Sequence, residues 1–251
     1  MEEATELGNY LPLSFKAPSE QGYIAFLWDT FETNYVHGKH QFAFLAYHML
    51  TMSFIYFNIW QIRQNWPKDF KKGLIGFNKD IEKNLLDATS PFVFSTVNER
   101  TILRFLKLIA CDNSRIGVYA KLVDDRNEAA HPNGNIFFST QAALDNKIAE
   151  ILRIVDEIQA NSKPVIERCY REFLLQSYDP EEREYPDNID QIREVLIHGN
   201  YLSHKDIEIC LGFDFATFTD LVTLEGVCEL HESLTLQYGP DVEQSTLVLL
   251  Y

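Results

Sequence analysis

Residues 40–65 contain the run HQFAFLAYHMLTMSFIYFNIWQIRQ, and this feature constrains the fold more than any other. Its apolar side chains point to all sides of a helix, so a helix built from it must be buried on most of its circumference. Gln41, His48, Asn58 and Gln61 interrupt the run too often for a membrane span. A central buried helix needs neighbours. Elsewhere the apolar residues recur at spacings of three and four, and alternating runs are absent, so those neighbours are expected to be helices and the fold class to be all-α.

The neighbours are placed by the same spacing. One helix is expected over 22–36. A second covers 68–88, with Phe70, Leu74, Phe77, Ile81 and Leu85 in helical register and Gly73 and Gly76 as positions where it can break. Thr96 and Glu99 have capping-box spacing ahead of a helix over 97–110. Asn113 or Ser114 caps a helix that runs through Ile116, Tyr119, Ala120 and Val123 to about Ala130, where Pro132-Asn133-Gly134 forces a stop. Ser139 or Thr140 opens a long helix reaching about Tyr178, with a kink or restart at Pro164. The acidic stretch DPEEREYPDN (179–188) reads as a boundary, followed by helices near 188–197, 204–211 and 214–236 and an apolar tail, TLVLLY. The expected organisation is an N-terminal segment (1–21), a helical bundle (22–178) and a C-terminal helical subdomain (179–251).

A formal charge of −15 excludes a broad phosphate-binding surface, because such a surface works by neutralising phosphates with Lys and Arg. Any nucleic-acid site must be local. Cys111, Cys169, Cys210 and Cys228 form no CxxC pair, so neither a disulfide framework nor a zinc site is indicated. The acidic start MEEATELGNY lacks a signal-peptide pattern, and a reducing, cytoplasmic setting is expected.

The chemistry is concentrated at the stop after the fifth helical stretch, KLVDDRNEAAHPNGN. Arg126, Asn127 and His131 give an Arg, a polar residue next to it, and a His with four residues between Arg and His. This resembles the signature of the HEPN superfamily, and the setting is similar too: an α-helical bundle of about the length of 22–178 with an aromatic-rich long helix before the motif. By chance alone roughly 0.8 such pairs would be expected from the Arg and His content, and a second pair exists, Arg193 and His198. Glu194 beside Arg193 would repel a phosphate, and Val195, Leu196 and Ile197 read as an ordinary core-facing turn. Asn127 is neutral and hydrogen-bonding, and Ala129 and Ala130 permit close approach, which favours the first pair.

On an ideal helix Arg126 and His131 are separated by about 140° and about 7.5 Å of rise, so they do not share a face unaided, whereas Asn127 and His131 align. Either Arg126 reaches around the helix or a second protomer completes the site. The resemblance implies the latter, a homodimer with both motifs in one cleft. It further implies a metal-independent endoribonuclease without cofactors, of the kind found in toxin–antitoxin and antiphage abortive-infection systems, with an antitoxin or defence-system protein as partner. The chemistry suits the residues. His131 moves protons near neutral pH, favoured in its protonated form by the helix C-terminus, Arg126 stabilises charge on the phosphorus centre, and Asn127 orients them. Attack by the RNA's own 2′-hydroxyl would leave a 2′,3′-cyclic phosphate and a 5′-hydroxyl.

The alternative is a catalytically silent helical interaction module, in which Arg126 pairs with Asp124, Asp125 or Glu128 and His131 merely caps the helix. One family variant places a Tyr target of AMP transfer two residues after the His; Asn133 stands there, which argues against that control. His37, His40 and His48, or Cys228 and His231, lack carboxylate partners at metal-ligand spacing, so no metal is expected. Residues 203–221 have the outline of a helix-turn-helix with Gly212 at the turn, but the second helix offers Asp214 and Asp220 and no Lys or Arg, so DNA is not an expected ligand.

Overall fold

The computed structural model describes residues 1–132, 134–218 and 221–239. They are all-α: among the described residues there is no β-strand, only an isolated antiparallel bridge between Pro12 and Ser203. In chain order the helices are α1 (Glu2–Thr5), α2 (Pro18–Val36), α3 (His40–Asn65), α4 (Pro67–Gly73), α5 (Lys79–Leu86), α6 (Glu99–Ile102), α7 (Asn113–Ala130), α8 (Gln141–Ser177), α9 (Asn188–Gln191), α10 (His204–Leu211) and α11 (Leu221–Tyr238). Short 3-10 turns cover Glu6–Tyr10, Pro91–Thr96, Leu103–Ile109 and Phe215–Thr217, and a π-helical turn covers Ile192–His198.

The run that reads as a buried helix is one. α3 buries Phe44, Tyr47, Leu50, Phe54, Ile55, Ile59 and Ile62, and even its His48, Thr51, Asn58 and Gln61 are inaccessible. It is long and apolar enough to cross a membrane by length and composition, but 83% of the relevant window is covered by the rest of the protein. α2, α7 and α8 pack around it, and the N-terminal residues join the same core through Ala4, Leu7 and Leu11. A second core is built from Ile166, Tyr170 and Leu174 of α8 together with Leu196, Ile197, Ile207, Cys210, Val227, Leu230 and Leu234. α8 therefore serves both cores, its first half in one and its second in the other.

A buried polar seam joins the two. The Asp206 carboxylate accepts hydrogen bonds from Gln61 Nε2 of α3 (3.0 Å), Gln159 Nε2 of α8 (2.7 Å) and both the N–H and the hydroxyl of Ser203 (2.9 Å each). Every one of these donors would be costly to strand, so the seam specifies how the C-terminal helices dock.

Several boundaries differ from those read in the sequence, each for a local reason. α2 begins at Pro18, where proline suits a first turn and the Ala17 N–H is taken by Glu20 Oε2 at 3.2 Å. The stretch 68–88 is two helices, separated by a turn in which Gly76 has φ +98°. The stretch 97–110 is one α-helical turn followed by a 3-10 turn that Ala110 ends in the left-handed region, φ 63°. The capping box expected between Thr96 and Glu99 does not form: Asn98 caps α6 by accepting the Arg100 N–H, and the Thr96 hydroxyl donates to the Val93 carbonyl. That leaves the Glu99 side chain for another use. Asp112, not Asn113 or Ser114, caps α7, and Thr140 caps α8. Pro164 does not restart α8, which is continuous through it, because Val165 and Ile166 are buried and tertiary packing outweighs one missing hydrogen bond. The stretch 214–236 is a 3-10 turn capped by Asp214 and then α11. The tail TLVLLY lies outside the described residues.

Candidate functional site

The C-terminal end of α7 is held in place by the first turn of α3. Gln41 Nε2 donates to the Ala129 carbonyl (2.7 Å), and Gln41 Oε1 accepts the Phe137 N–H (3.1 Å). Phe138 then packs on Phe44 at 4.4 Å between ring centroids. One glutamine thus fixes the chain on both sides of the motif's final residue. His131 sits between these anchors, exposed, in extended backbone, with its N–H donated to the Asn127 carbonyl at 3.0 Å. Asn127 is half-buried; Asn133 lies outside the described residues.

Arg126 faces another way. Its Nη2 donates to Glu99 Oε2 at 2.7 Å, and the same oxygen lies 3.3 Å from Nε2 of His48, a fully buried residue of α3. Since an ionised carboxylate only accepts, the His48 hydrogen is on Nε2. Burial alone would raise the Glu99 carboxyl pKa, but the hydrogen bonds and charges of His48 and then Arg126 outweigh it and hold the pKa below its ordinary value. Two of the motif's acidic neighbours are occupied elsewhere: Asp124 pairs with Arg100, and Asp125 with Lys147 at 2.8 Å. Neither holds Arg126. The ion pair that does hold it spans two helices and was not readable from local charge.

Arg126 and Glu99 line an open cavity of about 530 Å³ whose other walls include Tyr23, Met52, Tyr56, Phe92 and Asn98. His131 is not among its lining residues. Within one chain, then, Arg126 is brought together with Glu99 and His48, while His131 follows the last residue of α7 in extended backbone and does not line the cavity. Glu99 and His48 were missed as site residues. The available signal was His48, a titratable side chain in the middle of a mostly apolar helix.

The second Arg–His pair has a different surrounding. Arg193 is exposed and bound to Asp190 (2.7 Å) and Glu194 (2.8 Å), and Leu196 and Ile197 between it and His198 are core residues; His198 Nδ1 lies 3.2 Å from Ser14 Oγ. Among the described residues no group of three or more His, Cys, Asp or Glu is placed to hold a metal. His37 instead bonds the Thr33 carbonyl, and His231 the Tyr170 hydroxyl. Of the suspected helix-turn-helix, Asp214 caps a 3-10 turn and Asp220 lies outside the described residues.

α2 and α3 also leave apolar side chains in solvent. Phe26 and Phe42 are 61% and 60% exposed, and Tyr23 and Met49, which touch through the Tyr23 hydroxyl and Met49 sulfur, are also uncovered. Met49 and Tyr23 belong to the wall of the cavity that Arg126 also lines. Compared with family models, curated proteins and solved structures, the chain has no match.

Proposed function

We propose that this chain is a metal-independent endoribonuclease of the HEPN type, active as a homodimer, in which Arg126 and His131 carry the reaction and Asn127 orients them. The observation that carries the reading is the arrangement of α7's last turns: a cationic Arg126 at an open cavity and an exposed His131 held by flanking anchors, with uncovered apolar side chains on α2 and α3, two of them on the cavity wall. Packing two copies through these side chains would bury the exposed Phe26 and Phe42 and set the His131 of one protomer against the Arg126 of the other. Glu99, itself held by His48, fixes the Arg126 guanidinium, whose side chain is still 32% exposed and can present further N–H groups to a phosphate.

In the proposed reaction the RNA 2′-hydroxyl attacks the adjacent phosphorus. His131 serves proton transfer at the attacking or leaving oxygen, Arg126 stabilises the added negative charge, and the 5′-oxygen leaves with a proton. A toxin or antiphage effector in the cytoplasm, restrained by a partner protein until needed, is the proposed biological setting. The four cysteines are free, three of them buried, which suits a reducing compartment.

A second reading is favoured by one observation. Arg126 is already paired with Glu99, and a silent helical interaction module would keep it so. Incubating the purified protein with total RNA in EDTA separates the two. The nuclease reading expects cleavage with 2′,3′-cyclic phosphate ends, abolished by His131→Ala or Arg126→Ala and retained in Arg193→Ala and His198→Ala. Equal rates for wild type and His131→Ala, or no cleavage by wild type, would favour the module.

A further inference from the structure

The cavity beside Arg126 has more chemistry than a phosphate contact needs. Glu99 Oε2 receives both Arg126 and His48, but no described residue donates to Oε1, so one carboxylate oxygen at the cavity wall has its lone pairs free. Tyr56 also lines the cavity with its ring almost wholly buried, and no described residue hydrogen-bonds its hydroxyl. A buried phenol normally finds a partner. Here its polar end opens into the cavity. Burial raises the Tyr56 pKa, and the nearby Glu99 raises it further, so the hydroxyl stays protonated and able to donate. Tyr23 and Phe92 stand edge to face at 5.2 Å on the wall, presenting aromatic surface on which a planar group can stack.

A negatively charged acceptor, a phenolic donor and aromatic faces in a cavity of about 530 Å³ match one kind of planar ligand. It must present adjacent N–H donors and a neighbouring acceptor. Among the RNA bases only guanine does so on its Watson–Crick edge, with N1–H and N2–H beside O6. Adenine and cytosine each offer a single amino group next to a ring acceptor, which would face the carboxylate unfavourably, and uracil offers one N–H between two carbonyls.

We infer that this cavity is a guanine-binding pocket, with Glu99 accepting from N1–H and N2–H, Tyr56 donating to O6, and the ring lying against Tyr23 and Phe92. The inference rests on the nuclease reading for the claim that the base belongs to RNA: a guanine held here, beside Arg126, would make cleavage of the adjoining strand guanine-selective. Single-stranded RNA is commonly read this way, by unstacked bases held on aromatic side chains and hydrogen-bonded at their edges. A polar site of this kind discriminates strongly, because a wrong base strands its buried groups.

The test is calorimetric titration of the full-length protein in EDTA with GMP, AMP, CMP and UMP, alongside mapping of cleavage sites in a mixed-sequence RNA. GMP is expected to bind at least tenfold more tightly than the other three. Glu99→Gln should erase that preference, and Tyr56→Phe, which keeps the ring and its packing, should weaken GMP several-fold while leaving the weaker nucleotides unchanged. Guanine-selective binding without any cleavage would support the pocket and sink the nuclease reading. Cleavage indifferent to base, with GMP bound no better than AMP, would overturn the pocket and leave the nuclease standing. Identical GMP affinity in wild type and Tyr56→Phe with an intact Glu99 dependence would overturn the role assigned to the phenol.

Discussion

Removing the Glu99 carboxylate should cost more stability than an ion pair at the edge of a cavity normally does. Glu99→Ala deprives two donors of their acceptor, and they are not equivalent. Arg126 is 32% exposed along its side chain and can turn to water, so its share is at most about 1 kcal/mol. His48 is fully buried, and its other ring nitrogen has no partner among the described residues, so the substitution leaves the imidazole with none. Stranding a buried donor costs about 1–3 kcal/mol, which puts the total at about 1–4 kcal/mol. Urea unfolding of Glu99→Ala, His48→Leu and the double variant measures it, since the two sites are in contact and their effects should not add. The expected coupling is about 1–2 kcal/mol. The pH dependence has a defined sign. The folded-state pKa of Glu99 lies below its ordinary value of 4.5, so its contribution is present above pH 4.5 and is lost as pH falls through the folded value. The gap between wild type and Glu99→Ala should therefore narrow only in acid. A loss under about 0.5 kcal/mol at pH 7, or additive single effects, would refute the reasoning.

Other consequences are open to measurement. Gly226 of α11 has the backbone carbonyl oxygen of Tyr178 2.3 Å from where a Cβ would stand, whereas Gly22 of α2 has nothing within 4 Å. Gly226→Ala should destabilise by about 1–3 kcal/mol through overpacking, and Gly22→Ala should stabilise by about 0.5–1 kcal/mol through helix propensity, both read by thermal unfolding. If the uncovered apolar side chains on α2 and α3 form the dimer surface, Phe42→Glu should yield a folded monomer by sedimentation with cleavage strongly reduced; a dimer with full activity would rule that surface out as the interface.

The all-α class and the burial of α3 were legible because a helix apolar on most sides has no other stable setting, and the motif's place at the end of α7 followed from Pro132 and Gly134. What was not legible at the site has partners distant in sequence, while the misread boundaries have local causes. Thr96 and Glu99 have the spacing of a capping box, yet the 3-10 turn before them puts Thr96 on Val93 and makes Asn98 the cap. Glu99 is thereby free to meet His48 and Arg126, 51 and 27 positions away, and no local pattern announces that meeting. Similarly, Asp124 and Asp125 look like the natural partners of Arg126 until Arg100 and Lys147 arrive from other elements. Asp206, read only as part of a helix, proves to be the centre of the seam between the two cores.

The central claim is that Arg126 and His131 act together across two protomers, and mixing two inactive variants tests it most directly. In a symmetric dimer with trans pairs, a heterodimer of Arg126→Ala with His131→Ala keeps one intact pair, formed by the Arg126 of one protomer and the His131 of the other. Subunit exchange at equal concentrations makes about half of the dimers mixed, each with one of two sites, so the mixture should recover about a quarter of wild-type cleavage in EDTA while each variant alone recovers none. If wild type cleaves but the exchanged mixture stays as inactive as its components, the site does not span two protomers, and the pairing of Arg126 with His131 across the dimer is contradicted.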